Sequence, residues 1–168
     1  HYPRQTRALD AHLMGNTGIG VTVAILDSGI ARTPWIGGNR LKAEYDATLG
    51  ALDKTRANDE NGHGSHVTSI IASQGMTALG EYNSIAAGAS FVSVKAFDLN
   101  GMGSYADVIN GINWIVENQA RYNIRVLNMS FGTPPNTAYW DDPLAQAVMV
   151  AWQKGIVVVA SAGNSGPE

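Results

Sequence analysis

Cysteine is absent from this chain, which excludes disulfides, thiol catalysis and cysteine–zinc sites while leaving the compartment open. Charge is sparse: 15% of residues are charged, 11 basic against 14 acidic, for a net charge of −3. A strongly basic nucleic-acid surface is therefore not its main theme. Apolar runs are never longer than a strand, so no membrane-spanning stretch is present. No signal-peptide pattern, internal repeat or low-complexity linker is visible, and a start at His1 reads as a processed product or an expressed segment. What is present is a 168-residue chain, 45% hydrophobic, enough for one domain with a real core. Its 19 glycines point to tight turns and close backbone approaches.

Leu9 and Leu13 are spaced for a short helix that ends in the Gly15–Gly20 turn. Val21-Thr22-Val23-Ala24-Ile25-Leu26 then has the continuous, β-branched character of a strand buried on both faces. It stops at Asp27-Ser28-Gly29, where Asp27 is either a turn residue or a ligand-edge carboxylate. Residues 30–60 are polar, with one edge strand expected around Leu41–Tyr45. Next comes Asn61-Gly62-His63-Gly64-Ser65-His66-Val67, opening a helix over about 63–73 whose buried face is expected at Val67, Ile70 and Ile71. A titratable ring between glycines at a helix start is how a general base is presented, with Asp59 and Glu60 just upstream. A glycine-flanked loop histidine is the plainer alternative.

Residues 91–97 read as a second strand, followed by Gly101-Met102-Gly103. Ser104 and Asp107 then have capping-box spacing before the stripe Val108, Ile109, Ile112, Ile115, Val116. Ile124–Met129 is a third strand, closing on Ser130-Phe131-Gly132. Asp142 and Pro143 open a helix with an expected buried face at Leu144, Val148, Ala151 and Trp152, stopped by Gly155. Residues 156–160 form a fourth buried strand ending at Ser161-Ala162-Gly163-Asn164. The alternation predicts an α/β domain with a doubly wound parallel sheet and helices on both faces. Asp27, Gly101–Gly103, Ser130–Gly132 and Asn164 each follow a strand, so they should gather along one edge, where His63 would join them.

Five ordered segments across residues 21–166 resemble the subtilisin-like serine proteases. Asp27-Ser28-Gly29 and Asn61–Val67 resemble that family's aspartate and histidine motifs. Ile109-Asn110-Gly111-Ile112-Asn113-Trp114 resembles the helix after its substrate-binding strand. Val126–Gly132 and Val157–Asn164 resemble the two walls of its specificity pocket, the second carrying the oxyanion asparagine. Ser65 replaces the usual threonine, and Thr68-Ser69 stands in place of Ala-Gly. The resemblance also implies a serine nucleophile in a Gly-Thr-Ser motif well downstream. No serine here lies in that motif or in a Gly-x-Ser-x-Gly elbow. Residues 1–168 are thus expected to be the N-terminal portion of a single catalytic domain, truncated before the nucleophile-bearing part and inactive alone.

By that resemblance, His63 is the general base, Asp27 its orienting partner and Asn164 an oxyanion donor. Gly101, Met102 and Gly103 would pair with an extended polypeptide substrate, and Tyr105 would border a pocket further along it. Ser130, Phe131 and Gly132 would face Ser161, Ala162 and Gly163 across the specificity pocket. The partners implied are the polypeptide substrate, the C-terminal remainder of the domain and a propeptide, with secretion as the location; neither nucleic acid nor membrane is expected. No metal or cofactor is needed for the chemistry. A structural calcium is the one ion the family suggests, although Glu81-Tyr82-Asn83-Ser84-Ile85 resembles only a shortened calcium loop.

Three rivals remain at this point. Gly101-Met102-Gly103-Ser104-Tyr105-Ala106 fits a loose dinucleotide-binding pattern, but the next strand ends in Asn128-Met129-Ser130 rather than an acidic residue. His63 and His66 with Asp59 or Glu60 could form a metal site, although the i, i+4 histidine pair with its intervening glutamate is missing. A non-catalytic binding form of the protease fold is the third.

Overall fold

The computed structural model describes residues 1–52, 59–133, 137–164 and 166. Its organising strand is β1 (Thr22–Asp27), buried at all six positions. Side chains alternate across a strand, so Val23 and Ile25 face one layer while Ala24 and Leu26 face the other. Parallel partners lie on both sides: β4 (Ser90–Lys95), in unbroken register from Thr22↔Ser90 to Asp27↔Lys95, and β5 (Ile124–Met129). Strand β2 (Leu41–Asp46) pairs parallel with β4, and β6 (Val157–Ala160) pairs parallel with β5. The two-residue β3 (Ala51–Leu52) adds an antiparallel edge beside Tyr45 and Asp46, giving the order β3-β2-β4-β1-β5-β6.

Helices cover both faces, as parallel crossovers require. Helix α3 (His63–Ala72) packs on the Val23, Ile25 and Phe91 side. Helices α4 (Tyr105–Glu117) and α6 (Pro143–Gln153) share the opposite side with Leu26, Val94 and Leu127. The short α1 (Tyr2–Gln5) and α2 (Ala8–Leu13) precede the sheet, and α5 (Gln119–Tyr122) links α4 to β5. The expected capping box is formed: Ser104 Oγ accepts from Asp107 N at 3.1 Å while Ser104 N donates to Asp107 Oδ2 at 3.1 Å.

Three expectations about burial are corrected. On α3 the deepest residues are Gly64, Thr68 and Ala72, with Val67, Ile70 and Ile71 only half-buried. The helix start lies so close to the turn after β1 that small residues must form its inner face. Thr68 fits there because its hydroxyl donates to Gly64 O at 2.7 Å. On α6, the i, i+4 pair Ala147 and Ala151 faces the core, which turns Trp152 out to 59% exposure. Strand β6 is not buried on both faces: Val157 and Val159 are 52% and 48% exposed, because α6 covers only one side of this outer strand.

An exposed apolar strand flank favours association. The 168-residue chain alone is therefore expected to melt broadly and to self-associate. A single sharp, concentration-independent transition of a monomer would contradict this.

Candidate active site

The carboxyl ends of β1, β4 and β5 meet around a cleft of about 220 Å³ lined by Asp27, Ser28, Asn61, His63, Phe97, Gly101, Ser130 and Phe131. Asp27 ends β1 with its side chain 3% exposed, and Ser28 N donates to its Oδ1 at 2.8 Å. His63 begins α3, its side chain 49% exposed, with Nδ1 2.8 Å from Asp27 Oδ1 and 3.0 Å from Oδ2. A carboxylate only accepts, so the proton between them belongs on Nδ1 and the other ring nitrogen, Nε2, is left as an acceptor. Such a ring can take a proton from a hydroxyl and hold the resulting charge beside a buried carboxylate.

Local backbone sets this distance. Gly62 turns the chain into the helix at φ +93°. Gly64 lies directly on the β1 turn: a Cβ there would sit 2.1 Å from Gly29 O. Asp59 ties the same segments together. Its Oδ1 accepts from Ser28 Oγ at 2.7 Å and Gly62 N at 2.8 Å; its Oδ2 accepts from Ser65 N at 2.7 Å and Ser65 Oγ at 2.5 Å.

Partial burial by itself pushes the Asp59 carboxyl up. The hydrogen bonds from the Ser65 and Ser28 hydroxyls and from the Ser65 and Gly62 backbone outweigh it and hold the pKa below the usual value. A depressed folded value means that this group's contribution is complete above its ordinary value of 3.8 and is lost as pH falls through the lower folded value. Asp59→Asn is therefore expected to melt earlier than the parent at neutral pH. The gap should hold above the ordinary value of 3.8 and narrow as pH falls below it, checked by melting midpoints on both sides of that value. A gap that stays constant would contradict the assignment.

A second, larger cleft of about 620 Å³ continues from the first, with apolar walls from Met102, Val108, Met129, Leu144 and Val148. Tyr105 lies at this cleft, and its hydroxyl donates to Asp142 Oδ1 at 2.6 Å. That bond raises the tyrosine pKa and lowers that of the aspartate, which also accepts from Leu144 N at the start of α6. Gly103 is pressed against β4, where a Cβ would meet Ala96 O at 2.2 Å. Asn61 Nδ2 donates to Leu99 O at 3.0 Å, joining the His63 segment to the loop before α4. Ser161 N donates to Met129 O at 3.1 Å and Ser161 Oγ to Phe131 O at 3.0 Å, bringing the ends of β5 and β6 side by side.

Thus Asp27, His63, Gly101, Ser130 and Phe131 share the first cleft, while Gly101, Met102, Gly103, Tyr105, Phe131, Gly132 and Ser161 line the second. Ala162, Gly163 and Asn164 follow β6 as exposed backbone and line neither cleft. His66 is exposed on α3, and Asp59, offered above as a metal ligand, spends both oxygens on neighbouring hydrogen-bond donors. The residue that sequence reasoning undervalued is Asp59. Its signal was an acidic side chain three residues before a helix-opening glycine, the spacing of a local side-chain cap. In the Glu81–Ile85 segment, Arg4 donates to both oxygens of Glu81, at 3.2 and 2.5 Å, and Ser84 Oγ donates to Ser73 O.

A sequence model of the subtilase family matches residues 18–168. The chain is 37% identical to Serine protease AprX of Bacillus subtilis (strain 168), over 90% of this chain and 35% of that protein. It is 35% identical to Subtilisin E of the same organism, over 96% of this chain and 39% of that one. Subtilisin Savinase of Lederbergia lenta is likewise 35% identical, over 96% and 54%. Among solved structures, a cold adapted subtilisin-like serine proteinase superposes with a TM-score of 0.69 at 29% identity, over 89% of this chain and 48% of that chain. The chain spans roughly a third to a half of the length of these proteins.

Proposed function

Since the chain belongs to the subtilase family, we propose that it carries the acid–base half of a serine endopeptidase site. The observation that carries this reading is the buried Asp27 carboxylate 2.8 Å from Nδ1 of a half-exposed His63, at the strand-end edge of a parallel sheet. His63 Nε2 accepts the proton of a serine hydroxyl as its oxygen attacks the peptide carbonyl, then returns that proton to the departing amine. In the second half, the same nitrogen takes a proton from water as its oxygen attacks the ester carbonyl, then gives that proton to the serine oxygen as the acyl–oxygen bond breaks, releasing the acid and free serine. Asp27 holds the ring in the Nδ1–H tautomer and stabilises the imidazolium throughout. We assign the serine to sequence beyond these residues, and Asn164 to the oxyanion once that sequence is packed against β6.

The glycine-bearing Gly101-Met102-Gly103 segment takes the substrate backbone as an added strand, and the apolar second cleft favours a large apolar side chain. The proposed partners are an extended polypeptide, a propeptide and the C-terminal remainder of the domain, whose site is the open side of β6. Secretion belongs to the same proposal; among the described residues no helix is long and apolar enough to cross a membrane.

The deciding experiment compares the 168-residue chain with the protein at full natural length, using an unfolded protein substrate and a fluorophosphonate serine probe. Cleavage and labelling by the full-length form alone are expected. A well-folded full-length protein that does neither would overturn the proposal in favour of a binding role for the fold.

A further inference from the structure

Resting on that reading, we propose that Asp59 is a positioning residue, clamping the strand that carries Asp27 to the helix that carries His63. The two catalytic side chains lie 36 residues apart in sequence, and their own hydrogen bond is the only chemistry they share. Something must hold the two backbones in place when that bond is strained by protonation and by the approach of substrate. The carboxylate of Asp59 does this with four donors from three residues in the two segments.

On the strand side it holds the hydroxyl of Ser28, the residue directly after Asp27. On the helix side it holds Gly62 N and both the amide and hydroxyl of Ser65, so His63 is gripped from one residue before and two residues after. The grip is closed by two further bonds. Ser28 Oγ accepts from Gly64 N at 3.0 Å, and Ser65 Oγ accepts from Ala31 N at 2.8 Å. Each hydroxyl therefore donates to Asp59 and accepts from the opposite segment, which crosslinks the β1 turn and the α3 start in both directions.

Only an ionised carboxylate suits this place, since every group facing it donates. An asparagine of the same size would turn an NH₂ toward two donors, leaving two of the four without an acceptor. Asp59 does not touch the reacting atoms; it acts through the backbone on either side of Asp27 and His63. Small displacements matter at such a dyad, because an error of about 1 Å in the reacting geometry costs on the order of 100-fold in rate.

The test uses the full-length protein with Asp59→Asn, Asp59→Ala, Ser65→Ala and Ser65→Thr, assayed well below each variant's melting midpoint. Asp59→Asn is expected to lower kcat about ten-fold or more with KM unchanged. Proton NMR should show the low-field His63 Nδ1–H resonance shifted upfield or broadened in both Asp59 variants. Ser65→Ala should move part of the way, and Ser65→Thr, which keeps the hydroxyl, should restore parent values. A fall in melting midpoint with kcat and resonance unchanged would make Asp59 a fold-stabilising residue only and overturn the proposal. If instead the parent protein has no peptidase activity, or His63→Ala retains it, the protease reading fails. The Nδ1–H resonance, which needs no turnover, then decides the positioning role alone.

Discussion

His63→Ala in the full-length protein is expected to lower kcat by about 10⁶-fold and to leave KM within a small factor of the parent. That magnitude is taken over from subtilisin, where loss of the histidine alone costs about as much as loss of the whole triad. The physical basis lies in one nitrogen. Without an acceptor at Nε2, the attacking hydroxyl keeps its proton until the oxygen already carries positive charge, and the leaving amine finds no donor. Asp27→Asn should cost less, about 10⁴-fold, because an amide at 2.8 Å from Nδ1 can donate and so favours the wrong tautomer. The ranking is the test. Asp27 is 2% exposed, and among the described residues its carboxylate bonds only to the ring and to Ser28 N, so its effect should run through the histidine. Steady-state kinetics on a peptide ester and amide, with the double variant, check this: the two losses should not add. Additive losses would mean that the residues act separately.

Gly64→Ala should be strongly damaging for a single added methyl. Its Cβ would sit 2.1 Å from Gly29 O, with Gly29 C and N at 3.2 Å, and all three are backbone atoms. Relief requires the start of α3 to back away from the β1 turn, which would stretch the Ser28 Oγ bond to Gly64 N and the Asp27–His63 bond together. A stability loss of about 3 kcal/mol is expected, at the upper end for overpacking because no side chain can rotate aside. Activity should fall about 100-fold in whatever fraction stays folded. Melting and kcat on the same preparation check both parts. Gly132→Ala is the control: among the described residues no atom lies within 4 Å of a Cβ built there, so its melting midpoint should stay near that of the parent. Unchanged melting in Gly64→Ala would mean that α3 does not rest on the turn as described.

Much of the fold was legible in advance because its signals are local. Four β-branched runs, capped helix starts and alternating apolar spacing define β1, β4, β5, β6, α4 and α6 within a few residues. The pairing of Asp27 with His63 was inferable from strand ends and from family resemblance, since parallel crossovers place both on one edge. The errors share one cause. Burial depends on what lies opposite, which periodicity does not encode. Trp152 and Val159 have apolar side chains at plausible positions, yet Ala147 and Ala151 take the core face of α6, and no described element covers the outer face of β6.

What the amino-acid sequence determined by itself was therefore the order of the main elements, the fold class and the gathering of Asp27 and His63 at one edge of the sheet. Propensity, capping and apolar period act over only a few residues, so these features survive without a partner in view. The tertiary structure alone decided the distances: the 2.8 Å between Asp27 and His63, the seating of Gly64 on Gly29, and the bond from Ser28 to Asp59. Those are relations between segments more than thirty residues apart in the chain, and they exist only once the sheet has closed and brought the turn after β1 against the first turn of α3.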